Sequence, residues 1–195
     1  MGFGLLFIGY LLAFGFSSGA NYIVSIIGIA GAIFLFAASC KLSIYSKSFV
    51  FAKLFSVVLA LSYFANPISS YIYSDVPTVP VIIISKSVKA LVIISAFAFN
   101  FFMYKGVDEI ARTAENTKLQ ISAKRDMILM IVYYFSIAAA AISSTIFQSV
   151  SNIFSLMSAV LGVTWLLLSI ILTLSAYMRI CLSGDEDMPL HNKNK

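Results

Sequence analysis

The stretch VIIISKSVKALVIISAFAFNFFMY, Val81 to Tyr104, runs straight into KGVDEIARTAENTKLQISAKRD, Lys105 to Asp126, and this pairing decides the fold. The first part is apolar over a length that spans a bilayer as a helix, which takes about 20 residues. The second carries Lys105, Arg112, Lys118, Lys124 and Arg125. An apolar run stopped by a basic connector marks a polytopic helical membrane protein, because Lys and Arg stay on the cytoplasmic side while apolar stretches insert.

The same alternation continues in both directions. An opening span over 2–19 has its apolar part from Gly2 to Phe16 and closes in the turn-like SSGAN, Ser17 to Asn21. A second span covers 22–40 and stops at Lys41. A third, 49–65, ends at Asn66-Pro67, where proline removes a backbone donor and is expected to break the helix. The following ISSYIYSDVPTVP, with its tyrosines, Asp75 and two prolines, reads as an interfacial loop before the fourth span, 81–104. Spans 127–148 and 153–178 follow, separated by a tight turn near Ser151-Asn152, and 179–195 is a polar tail. The expectation is an all-α bundle of six transmembrane helices in one domain, 1–178.

Composition agrees. The 195 residues are 61% hydrophobic and 11% charged, against about 25% charged in soluble domains. A soluble core of this size cannot hide that much apolar surface, so the lipid bilayer is the expected partner. The net charge of +5 arises from residues that flank apolar runs, which fits anionic headgroups and argues against nucleic acid. Connectors Ser17 to Asn21, Asn66 to Pro80 and Ser149 to Asn152 hold no Lys or Arg, whereas Lys41, Lys47, Lys105 to Arg125, Arg179, Lys193 and Lys195 share the other side. Both termini are therefore expected in the cytoplasm, with the protein in the plasma membrane. Ser18-Gly19-Ala20 loosely fits a signal-cleavage site, but no basic residue precedes it, so the first span is expected to be retained.

Chemistry is constrained by what the spans lack. The single histidine, His191, is in the tail, and the acids Asp75, Asp108, Glu109, Glu115, Asp126, Asp185, Glu186 and Asp187 fall in connectors or the tail. No span offers a general base or a metal-holding pair, so no catalytic residue, metal or cofactor is expected. Asp185-Glu186-Asp187 reads as a solvated charge run. Cys40 and Cys181 sit at the cytoplasmic ends of spans and are expected to stay reduced.

Lys86 and Lys89 stand outside the charge pattern. With Asn100 and Tyr104 they share one face of the fourth span. Either the helix begins near Ser85 and both lysines snorkel to outer headgroups, or the stripe lines a cavity for an anionic ligand, or a partner subunit supplies a carboxylate. Lys86, Lys89 and Asn100 are thus the candidate ligand-binding residues. In 105–126, Val107, Ile110, Ala111, Ala114 and Ile121 recur at helical spacing, and Asp108 and Arg112 can pair at i, i+4. This segment reads as an extension of the fourth span along the inner membrane surface, serving either as a solvated connector or as a docking surface for a membrane or cytoplasmic protein. The run GIAGA, Gly28 to Ala32, marks a place for close helix approach.

The opening GFGLLFIGY, with KLSIYSKSFVFAKL after the second span, resembles the start of small multi-span membrane proteins of Gram-positive bacteria that carry no assigned function. That resemblance implies a bacterial plasma membrane. In size, helix number and cytoplasmic termini the chain is also similar to the substrate-binding subunits of energy-coupling-factor vitamin transporters, a likeness of architecture without a shared motif. The functional expectation is a non-catalytic membrane component or partner subunit; the alternative is a binding or transport subunit with its ligand near Lys86 and Lys89.

Overall fold

A computed structural model describes residues 2–15, 22–75, 79–144 and 148–180 of the chain. Among these there is no strand. The elements are α1 (Gly2–Tyr10), which continues as a π-helical segment (Leu11–Gly15), then α2 (Tyr22–Leu42), α3 (Ser48–Asp75), α4 (Val79–Thr113), α5 (Thr117–Ser143) and α6 (Gln148–Arg179). Each helix packs on its neighbour in sequence, and α1 packs on α6, so the bundle closes into a ring. Five stretches are long and apolar enough to cross a membrane: Ile23–Leu42, Ser48–Ala65, Ile82–Thr113, Thr117–Ser143 and Val150–Arg179. Gly2–Gly15 is apolar but shorter.

Apolar side chains cover the outside of the bundle as well as filling its core, and some polar groups lie inside. Ser39, Ser56, Ser62, Asn100, Ser136, Ser169 and Thr173 are buried, while Ile23, Ile26, Leu61, Phe135, Leu156 and Val160 are exposed. Many buried hydroxyls bond to their own helix, as Ser62 does to the Val58 carbonyl at 2.7 Å and Ser136 to that of Tyr133 at 2.7 Å. Such bonds hide a polar group without needing a partner helix. Close approach uses the expected small residues: a Cβ on Gly31 would lie 2.4 Å from the Ala13 backbone nitrogen, so α2 and the π-helical segment meet backbone to backbone.

Three expected boundaries are corrected. Pro67 does not end the third helix: α3 continues to Asp75 with proline inside it. One missing amide is a single lost bond in a helix of 28 residues, and packed helices tolerate it. The expected interfacial loop is accordingly mostly helix, and only 76–78 of it lie outside the described residues. Ser151 and Asn152 are not a turn but belong to α6; the Ser151 hydroxyl donates to the Ala140 carbonyl at 3.1 Å and ties α6 to the end of α5. The segment 105–126 is almost wholly helix rather than a solvated connector: α4 runs on to Thr113, as an extension of the fourth span would, and α5 begins at Thr117.

The short turn between α4 and α5 explains this third correction. Asn116 N–H donates to the Ala111 carbonyl at 2.9 Å and Glu115 N–H to that of Arg112 at 3.2 Å, with Glu115 at φ 55°. This is a Schellman ending with glutamate in the left-handed position usually taken by glycine. The Asn116 side chain then caps α5 by accepting from Leu119 N–H at 3.1 Å. Val107, Ile110 and Ala111 face the core, as do Leu119, Ala123, Asp126 and Met130, whereas Ala114 and Ile121 are exposed. The expected Asp108–Arg112 pair is present at 2.9 Å. Ser18 to Ala20, Cys181, Asp185 to Asp187 and His191 lie outside the described residues.

Candidate functional site

The charged end of the bundle is fastened by a carboxylate. Glu109, late in α4, accepts hydrogen bonds from the Ser46 hydroxyl and from the Ser48 hydroxyl at 2.8 Å. Ser48 opens α3, so a negative charge from one helix sits at the N-terminus of another, where the helix dipole favours it. One turn before Glu109, Gly106 gives the Phe49 ring room: a Cβ there would lie 2.6 Å from two ring carbons. Asp126 is fully buried on α5; its Oδ1 accepts from Arg125 Nε at 2.9 Å, and Oδ2 has no hydrogen-bond partner among the described residues.

Further into the bundle the polar groups become hydroxyls and an indole. Trp165 Nε1 donates to Tyr104 Oη at 2.6 Å, and the Ser169 hydroxyl donates to the Trp165 carbonyl at 2.7 Å. The Ser169 proton is thereby committed, so Tyr104 is the donor in the hydrogen bond between Tyr104 and Ser169. These three side chains form a closed loop of bonds between α4 and α6. Tyr10 of α1 and Asp126 of α5 both lie within electrostatic range of Tyr104.

Two clefts flank this loop. The larger, about 430 Å³, lies in the half of the bundle away from the charged end; Phe14, Tyr63, Tyr133, Tyr134 and Trp165 are its aromatic walls. Tyr133 stacks on Trp165 with centroids 5.1 Å apart, and Tyr134 meets the same indole edge-on at 5.9 Å. The Tyr63 hydroxyl is turned away to the Ala13 carbonyl at 2.7 Å. The lining is mostly apolar, and exposed Ile93, Ala159 and Val163 leave the cleft open to the outside of the bundle. The smaller cleft, about 240 Å³, lies between α4 and α5 and is lined by Phe101, Tyr104, Lys105, Asp108, Ala123, Lys124 and Met127.

The residues selected on sequence are not gathered into one site. Lys86 and Lys89 are exposed, in a part of α4 where no described side chain from Pro80 to Ile94 is buried. Asn100 is fully buried; its Nδ2 donates to the Ala96 carbonyl at 2.8 Å, and its Oδ1 has no partner among the described residues. It lies about 16 Å along the helix from Lys89 at 1.5 Å per residue. Neither lysine lines either cleft. Tyr104, on the same stripe, is the member that joins a site. Sequence reasoning passed over Trp165, Tyr133 and Tyr134, although aromatic residues with polar tips in the middle of an apolar run, away from the interfaces they usually occupy, are a usable signal. Asp126 was also readable as inward, at i+7 from Leu119 and i+3 from Ala123.

Among the described residues no group of three or more His, Cys, Asp or Glu side chains is placed to hold a metal ion. No protein-family model matches the chain, no curated protein matches it, and no solved structure matches it.

Proposed function

We propose that this chain is a multi-pass protein of the plasma membrane, with six spans and cytoplasmic termini, that holds a small lipophilic molecule in the aromatic cleft as a non-catalytic binding component. The observation that carries this reading is the 430 Å³ cleft walled by Phe14, Tyr63, Tyr133, Tyr134 and Trp165. Rings supply large contact area at low entropic cost, and the Tyr133 and Tyr134 hydroxyls are the polar groups left to orient a ligand. Among the described residues the lining contains no carboxylate or imidazole, which suits binding better than proton transfer. The apolar exterior of the bundle supports the membrane assignment, and the basic residues at one end support the orientation. The exposed side of the α4–α5 turn, with Arg112, Glu115 and Lys118, is the surface offered to a protein partner. Lys86 and Lys89, exposed at the other end, suit outer headgroups better than a ligand shared with buried Asn100.

Trp165 is the one tryptophan of the chain, so its fluorescence reports on the cleft directly. An anilinonaphthalene dye added to the purified protein should receive energy from Trp165. Ala159→Leu, which fills the cleft from an exposed wall position, should cut that transfer severalfold. Equal transfer in both proteins would count against the cleft as a binding site.

A further inference from the structure

From the smaller cleft we infer that α4 and α5 form a binding site for the headgroup of an anionic phospholipid, at the charged end of the bundle. The site has two lysines at its mouth, Lys105 and Lys124, and neither makes an ion pair or hydrogen bond among the described residues. Two acids stand nearby. Asp108 is paired with Arg112 at 2.9 Å through Oδ2, while its buried Oδ1 has no partner among the described residues, and Glu109 keeps its charge, hydrogen-bonded by Ser46 and Ser48 and in electrostatic range of Lys105. Against these carboxylates stand Lys105, Lys124 and Arg112, so the net charge at the cleft is positive, which favours a phosphate-bearing group.

The apolar part of the site selects a lipid rather than a free anion. Phe101, Ala123 and Met127 wall the cleft beneath the lysines. Phe97 stacks on Phe101 with centroids 6.3 Å apart, and Tyr134 meets Phe97 edge-on at 5.3 Å. The apolar surface thus continues along α4 and α5 away from the charged end, where an acyl chain attached to the headgroup would lie. Basic pockets between membrane helices on the cytoplasmic side bind lipid headgroups through this combination of charge and apolar track. The inference rests on the membrane reading above and is independent of what the aromatic cleft holds.

The test uses full-length protein purified in mild detergent, with phosphatidylglycerol and phosphatidylcholine of matched chains as probes and bound lipid read by native mass spectrometry. Each lysine near a headgroup is worth about fivefold in affinity, so phosphatidylglycerol should bind roughly twentyfold more tightly than phosphatidylcholine. Lys105→Gln with Lys124→Gln should bring the two lipids level. Lys41→Gln with Lys47→Gln, the same loss of charge at exposed positions outside the cleft, should leave the preference unchanged. Equal binding of both lipids by the unmodified protein, or a preference that survives in the Lys105/Lys124 variant, would overturn the site. So would equal loss in both double variants, or displacement of phosphatidylglycerol by inorganic phosphate alone. Both lysine pairs are exposed, and circular dichroism checks that each variant remains helical. Membrane residence is scored separately by resistance to carbonate extraction: failure there rejects the membrane reading, whereas lipid indifference in a resident protein rejects only this site.

Discussion

The two halves of the bundle are held together by different forces. At the charged end, helix termini are joined by directional bonds: Glu109 of α4 binds Ser46 and Ser48 at the start of α3, and Asn116 closes α4 and caps α5. In the other half, rings of α3, α5 and α6 and the π-helical segment surround a cleft, with few bonds between side chains of different helices. Directional bonds fix spacing and angle, whereas stacked rings tolerate a guest that replaces one apolar contact with another. The charged end therefore acts as the frame and the aromatic half as the adaptable region, with Tyr104 connecting them.

The strongest way to break this division is to separate α2 from the π-helical segment. Gly31→Val would drive a branched side chain into the Ala13 backbone, where even a Cβ is 2.4 Å from nitrogen. Overpacking typically costs about 1–3 kcal/mol and occasionally more, and a backbone obstacle puts this site at the upper end. Thermal unfolding in detergent should show a large loss of stability and a low yield of folded protein.

A smaller effect is expected at the connection itself. Tyr104→Phe leaves the buried Trp165 N–H without its acceptor and Ser169 without its donor, a loss of about 1–3 kcal/mol. The Trp165 emission maximum should move as well. Glu109→Ala ranks last, because it removes a half-buried carboxylate capping the start of α3, a contribution of about 0.5–2 kcal/mol. It should lower the unfolding temperature while leaving Trp165 emission unchanged. If Glu109→Ala shifted that emission as strongly as Tyr104→Phe does, the two halves would not be distinct.

The long apolar runs were legible in the amino-acid sequence, since hydropathy over a bilayer length needs no tertiary knowledge. Boundaries were less so. The polar appearance of 105–126 concealed two helix ends, because Asn116 both accepts the end of α4 and caps α5 within a charged segment. Pro67 was given the weight it has in an isolated helix, not in a packed one. The candidate site was read from misplaced charge, at Lys86 and Lys89, and from the helical face that they share with Asn100. Clefts depend on which rings from separate helices meet, as Tyr133 and Trp165 do, and no periodicity within one helix reveals that. Tyr104 was reached through its stripe with Asn100, and there the helical spacing was informative.

The division between the halves has one proposed origin: the charged end faces the cytoplasm and the aromatic half lies toward the outer leaflet. Single cysteines at Thr117, exposed beside the α4–α5 turn, and Asn152, exposed in the first turns of α6, test this directly once Cys40 and Cys181 have been replaced by serine. With an impermeant maleimide added to intact cells, Asn152→Cys should be labelled and Thr117→Cys should react only after the membrane is permeabilised. Labelling of Thr117→Cys from outside, with Asn152→Cys protected, would contradict the account.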